Sequence, residues 1–134
     1  MLVKIKKDIL EQIILHAQDE APLECCGLLT GQNETISNMR RMKNTLNSQV
    51  RYAMDPKALF DFFRDLRSSG QNHLGIYHSH PFSKPYPSET DVRESFYPDC
   101  SYFIVSLSNP RLPQVKAFQI LNSVVQELEI KAVG

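Results

Sequence analysis

Between Ile9 and Ala17 the apolar positions fall four apart, Ile9, Ile13 and Ala17, with Leu10 and Ile14 beside them. This is the stripe of an amphipathic helix running from about Asp8, its expected N-cap, to about Glu20, and Pro22 stops it. Residues 2–5 precede it as a short strand. The segment Pro22-Leu23-Glu24-Cys25-Cys26-Gly27-Leu28-Leu29-Thr30-Gly31 sets an acid before a small, apolar, glycine-bounded run, the pattern of a buried strand with a carboxylate at its entrance. From Gln32 to Met54 the periodicity weakens. Ile36, Met39 and Met42, and then Val50, Tyr52 and Met54, predict two strands on either side of an irregular Asn44–Ser48 connection.

Asp55 and Pro56 form an N-cap and first helical residue. Leu59, Phe60, Phe62, Phe63 and Leu66 continue a second amphipathic helix, closed by Gly70. His73 to His80 returns to a strand, and Pro81, Pro85 and Pro87 then forbid regular structure as far as Ser88. Ser88-Glu89-Thr90-Asp91 has the form of a capping box, so a short helix should start there and end before Pro98. Tyr102 to Leu107 is β-branched and aromatic, a strand turned by Asn109-Pro110. Val115–Leu121 and Val124–Ile130 alternate across Asn122-Ser123 as a terminal hairpin. The pattern predicts an α/β (α+β) architecture, a mixed sheet flanked by helices, in one domain spanning 1–134.

Composition narrows the function. Fifteen basic residues balance fifteen acidic ones, so no excess charge points to nucleic acid or an anionic surface. No apolar run approaches the roughly 20 residues of a membrane span, and the N-terminus lacks a signal peptide's pattern. Three cysteines, an odd number with two of them neighbours, argue against a disulfide framework and fit a reducing, cytoplasmic setting. Apolar strands near both termini suit either a homodimer edge or a closed core.

The chemistry concentrates between His78 and Asp91. Strand side chains alternate, so His78 and His80 point the same way and can converge on one ion. Ser88 and Asp91, three apart at a helix start, share a face, and that turn can lay Asp91 against the histidines as a third ligand. Two histidines and a carboxylate, with a fourth position open, are the ligands of a catalytic rather than a structural zinc site. Hydrolysis also needs a general base, and Glu24 is the candidate, although spacing alone does not select it from the other carboxylates. Ser88 could hydrogen-bond the oxyanion of a tetrahedral intermediate. The plainer alternatives are a satisfied histidine pair, a simple helix cap at Ser88 and Asp91, and a solvated loop acid at Glu24. Cys25 and Cys26 read as small buried hydrophobes, and His16 and His73 as ordinary helix and strand-entry residues.

As a whole, His78-x-His80, seven residues, Ser88, two residues and Asp91 resembles the signature of the JAMM (MPN+, Mov34/PAD-1) zinc metalloproteases. The segment from Pro22 to Gly31 resembles that family's Pro-x-Glu-x-Cys-Gly-x-Leu-x-Gly motif. His16-Ala17, Asn44, Met54-Asp55-Pro56, Gly75 and Tyr102–Leu107 also resemble family positions, so the likeness covers nearly the whole chain. It implies a single JAMM/MPN-like domain, its curved mixed sheet and helices layered like a cytidine deaminase. It further implies one Zn²⁺ on His78, His80 and Asp91, Glu24 activating water, and Ser88 stabilising the oxyanion. The implied reaction is hydrolysis of a peptide or isopeptide bond at the C-terminus of a ubiquitin-like or sulfur-carrier protein. A chain this short has little room for the insertions that build a ubiquitin-specific groove, so the compact prokaryotic type is expected. The competing readings are a cysteine hydrolase built on Cys25 or Cys26, a binding module for a ubiquitin-like protein, a closed cysteine and histidine zinc site, and a cell-wall or phage-type peptidase.

Overall fold

The structure, a computed structural model, describes residues 1–134. Strand β1 (Leu2–Lys6) runs directly into helix α1 (Lys7–Glu20), and then come β2 (Cys26–Gln32) and β3 (Thr35–Met42). Helix α2 (Pro56–Ser69) and β4 (Asn72–His80) follow, with α3 (Glu89–Arg93), β5 (Ser101–Ser106), β6 (Gln114–Leu121) and β7 (Val124–Val133) completing the chain. The strands order as β1-β3-β2-β4-β5-β6-β7 and close, because β1 pairs in parallel with both β3 and β7. The terminal strands are therefore partners of each other, the closed-core alternative. Two tight turns carry the hairpins: Asn33-Glu34 and Asn122-Ser123 all have positive φ, the twist that two-residue hairpin loops require.

Each face of the sheet is covered by a helix. The stripe Ile9, Ile13 and Ala17 of α1 packs with Ile5, Leu29, Tyr77, Phe103 and Val105 in one apolar cluster. Phe62 of α2 packs on the other face with Cys26, Leu28, Ile76 and Ile104. Strand alternation thus sends Tyr77 and Ile76 to opposite clusters. Cys25 and Cys26 likewise diverge, one into each cluster, and all three cysteines are free and buried.

Two expectations are corrected. Asp8 is not the N-cap of α1: Lys6 occupies that place without a side-chain cap, and Asp8 lies in the first turn, where its charge favours the helix dipole. Residues 50–54 are not a strand, since the chain from Lys43 to Asp55 is irregular and its polar backbone is satisfied locally. The caps of the other two helices match their sequence signatures. Asp55 accepts from the Ala58 amide at 3.0 Å, and Gly70 ends α2 with φ 73°.

Candidate metal centre and acid

Antiparallel pairing of β2 with β4 brings the two motifs together. Cys26 pairs with His78, and one step further the Cys25 amide donates to Ser79 Oγ at 2.8 Å while the Ser79 amide donates to the Cys25 carbonyl at 3.1 Å. Continuing that register sets Glu24 opposite His80, on the face that also carries His78. Ser79 points to the other face, as alternation requires, and acts as the clasp. Sequence reasoning passed over it because nothing in the spacing distinguishes it from any other strand serine.

On that face three donor atoms converge. His78 Nε2 and His80 Nε2 lie 3.1 Å apart, and Asp91 Oδ2 is 3.2 Å from the first and 3.0 Å from the second. Donors around a tetrahedral ion with bonds of about 2.0–2.1 Å stand about 3.3 Å apart, so the triangle is close to zinc-sized. The tautomer supports a cation at its centre. His80 Nδ1 faces the Lys84 carbonyl at 2.8 Å and must donate to it, so the neutral ring turns the lone pair of Nε2 toward the Asp91 carboxylate. Facing acceptors this close are stable only around a proton or a metal ion.

The capping box aims Asp91. Ser88 Oγ accepts from the Asp91 amide at 3.0 Å, and Asp91 Oδ2 accepts from the Ser88 amide at 2.9 Å, which holds the carboxylate over the start of α3. Burial opposes ionisation of Asp91, but its close contacts with the His78 and His80 rings outweigh it and hold the carboxyl well below the usual range. For His80, burial acts downward and is overcome by the Asp91 carboxylate and the Lys84 carbonyl, for a net upward shift.

Glu24 is only 3% exposed, and burial, against the pull of His80 and with a further push from Asp91, raises its carboxyl to about 8. Glu24 Oε1 and His78 Nδ1 are the two buried side-chain polar atoms without a hydrogen-bond partner. Unpaired buried groups are costly, and here both sit beside the converging donors. Tyr52, expected as a strand residue, instead stacks on the His78 ring with centroids 4.8 Å apart. It also lines an apolar hollow that runs from Asp91 past Leu28, Leu59 and Ile76.

The cysteines do not join the centre. Burial pushes both Cys25 and Cys26 up to about 12, and Cys26 Sγ faces the Met42 carbonyl at 3.7 Å rather than a histidine. Inert thiols pointing to opposite faces fit neither a cysteine nucleophile nor a shared cysteine-ligated zinc. His16, read from the sequence as an ordinary helix residue, is part of the buried interior. It is 2% exposed, and its Nδ1 meets Tyr77 Oη at 2.7 Å, bracing the strand behind the histidines.

Comparison with known proteins follows the same lines. Residues 6–121 match the family described as prokaryotic homologs of the JAB domain. A CysO-cysteine peptidase of Mycobacterium tuberculosis is 29% identical over 131 residues, covering 96% of this chain and 90% of that protein. A desampylase of Haloferax volcanii is 32% identical over 111 residues, covering 78% of this chain and 80% of that protein. The solution structure of a protein from Desulfitobacterium hafniense superposes with a TM-score of 0.87 at 34% identity, covering 99% of this chain and 93% of that one.

Proposed function

The chain belongs to the family of prokaryotic homologs of the JAB domain, the JAMM/MPN class its two motifs resemble, and from that premise we propose that it is a zinc-dependent peptidase or isopeptidase. Its substrate is the C-terminus of a ubiquitin-like or sulfur-carrier protein, carrying a residue or a lysine-linked adduct to be released. The observation that carries this reading is the cluster of three mutually adjacent metal-type donors, with an unpaired buried acid, Glu24, one residue beyond the Cys25–Ser79 bonds that extend the β2–β4 pairing toward it. The names of the mycobacterial and haloarchaeal relatives support the substrate class.

In this reading His78, His80 and Asp91 hold one Zn²⁺. When bound, zinc supplies Lewis acidity that polarises water and the scissile carbonyl. A dication nearby also draws Glu24 back toward its ionised form, as a base requires. Glu24 takes a proton from the attacking water as its oxygen bonds to the carbonyl carbon. It then returns that proton to the departing amine nitrogen as the C–N bond breaks. Ser88 Oγ accepts the Asp91 amide with one lone pair and keeps its own O–H free, so it can cap α3 and donate to the oxyanion together. Lys84 orients His80 through its carbonyl, the outer partner that a metal-bound histidine requires. Residues 1–134 act as one catalytic domain. Three buried free cysteines favour action in a reducing compartment such as the cytoplasm.

The test uses a ubiquitin-like protein ending in Gly-Gly, extended by one residue or linked to a lysine side chain. Cleavage should stop on chelation and return with zinc, and Glu24→Gln should keep zinc yet lose turnover. Cleavage indifferent to the chelator would overturn the reading.

A further inference from the structure

Outside the residues assigned above, the side chain richest in hydrogen bonds is Asn44, which is 9% exposed. Its Oδ1 accepts from the amides of Leu46 at 3.1 Å and Ala53 at 3.2 Å. Its Nδ2 donates to the carbonyls of Glu24 at 3.1 Å and Arg51 at 2.9 Å, with the Ser48 carbonyl at 3.5 Å sharing one of those N–H groups. Both lone pairs and both N–H groups of the carboxamide are therefore used. Aspartate has no donor for the two carbonyls and alanine has nothing, so only a carboxamide of this reach satisfies the site.

The partners include two backbone stretches that Asn44 joins directly, with Ser48 also touching both through its carbonyl and hydroxyl. One is the backbone of Glu24, whose own amide also donates to the Ser48 carbonyl at 2.9 Å. The other is Arg51-Tyr52-Ala53, which stacks the Tyr52 ring on His78 and pairs Arg51 with Glu94, just past α3, at 3.2 Å. We propose that Asn44 is a positioning residue of the metal centre, one carboxamide that sets both the backbone of the base and the aromatic wall behind His78.

The two unpaired atoms of the centre explain why such a device is needed. A metal-binding histidine usually gives its outer N–H to a carbonyl or carboxylate, which fixes the ring. His80 does so through Lys84, but His78 Nδ1 has no partner, so the ring is held by its stacking on Tyr52. Glu24 Oε1 also has no partner, so the carboxyl is aimed by its backbone. Asn44 holds the elements that aim both.

Asn44→Ala and Asn44→Asp, each loaded with zinc, test this. The kinetic part rests on the hydrolase reading, and the spectroscopic part does not. Misplacement of about 1 Å costs a catalytic group on the order of 10²-fold. Both variants should lose about that factor in kcat with KM and the single bound zinc nearly unchanged. In NMR spectra of the intact protein, the upfield shift that the Tyr52 ring imposes on the His78 ring protons should be lost in both variants. In the wild type, the Leu46 and Ala53 amides should resist hydrogen exchange as the barrel strands do. A purely structural role would lower the melting temperature while kcat below it and the His78 shift stayed as in the wild type, and that result overturns the proposal. So would fast exchange at Leu46 and Ala53, a measurement that needs no variant to fold. If the wild type cleaves no ubiquitin-like fusion, the hydrolase reading fails, and the His78 shift alone decides for or against Asn44.

Discussion

Replacing Glu24 with glutamine should change how stability depends on pH in the zinc-free protein. Burial holds the folded-state carboxyl at about 8 against an ordinary 4.5, so between those values the unfolded chain releases a proton that the folded chain keeps. The folded state then binds more protons than the unfolded one, and stability falls as pH rises through this window. Below pH 4.5 both states are protonated and the effect is absent, while above about 8 it is complete. A gap of about 3.5 pH units corresponds to a ceiling of about 5 kcal/mol at about 1.4 kcal/mol per unit. Relaxation and water penetration lower the real cost of a buried charge, so the effect should fall below this ceiling, to roughly 2–3 kcal/mol. Glutamine keeps the shape and cannot ionise. Urea unfolding at intervals from pH 5 to 9, with chelator present, should show the variant gaining on the wild type by that amount. A stability difference that stays constant across the range would refute the reasoning. Zinc should flatten the wild-type slope, because a neighbouring dication favours the carboxylate.

Cys25→Ser with Cys26→Ser should still hold one zinc by elemental analysis, whereas His80→Ala should lose it. Ser88→Ala should lower kcat by about 10²-fold or more, as loss of an oxyanion donor does. It should also cost about 1 kcal/mol in thermal unfolding through the lost helix cap. Gly27→Ala drives a methyl into the Tyr77 ring and hydroxyl, so the ring must shift and its hydrogen bond with His16 is disturbed. Overpacking and a broken buried hydrogen bond together predict a loss of about 2–4 kcal/mol by chemical denaturation.

The legible parts of this protein were those governed by period and by cap chemistry. The stripe on α1, the Asp55-Pro56 start and Gly70 stop of α2, the capping box at Ser88 and the Asn122-Ser123 turn are local rules, and each element formed where its rule applies. The loop from Lys43 to Asp55 was misread as containing a strand because its apolar residues alternate. Its backbone is instead satisfied by bonds within the loop and by side chains, the buried Asn44 foremost among them, whose bonds follow no period. Asp8 was misread as a cap because the turn from β1 into α1 needs none.

Local spacing alone determined that His78 and His80 share a face and that Ser88 and Asp91 share a helix start. Period-two alternation and the capping box are properties of a few consecutive residues. Only tertiary structure decided which carboxylate joins them. The antiparallel β2–β4 pairing, extended by the Cys25–Ser79 bonds, carries Glu24 to the end of the strand that bears His78 and His80, and Tyr52 is folded onto His78 by a loop closed on Asn44. Register and loop closure depend on which strands the whole core pairs together, and no short stretch of sequence carries that information.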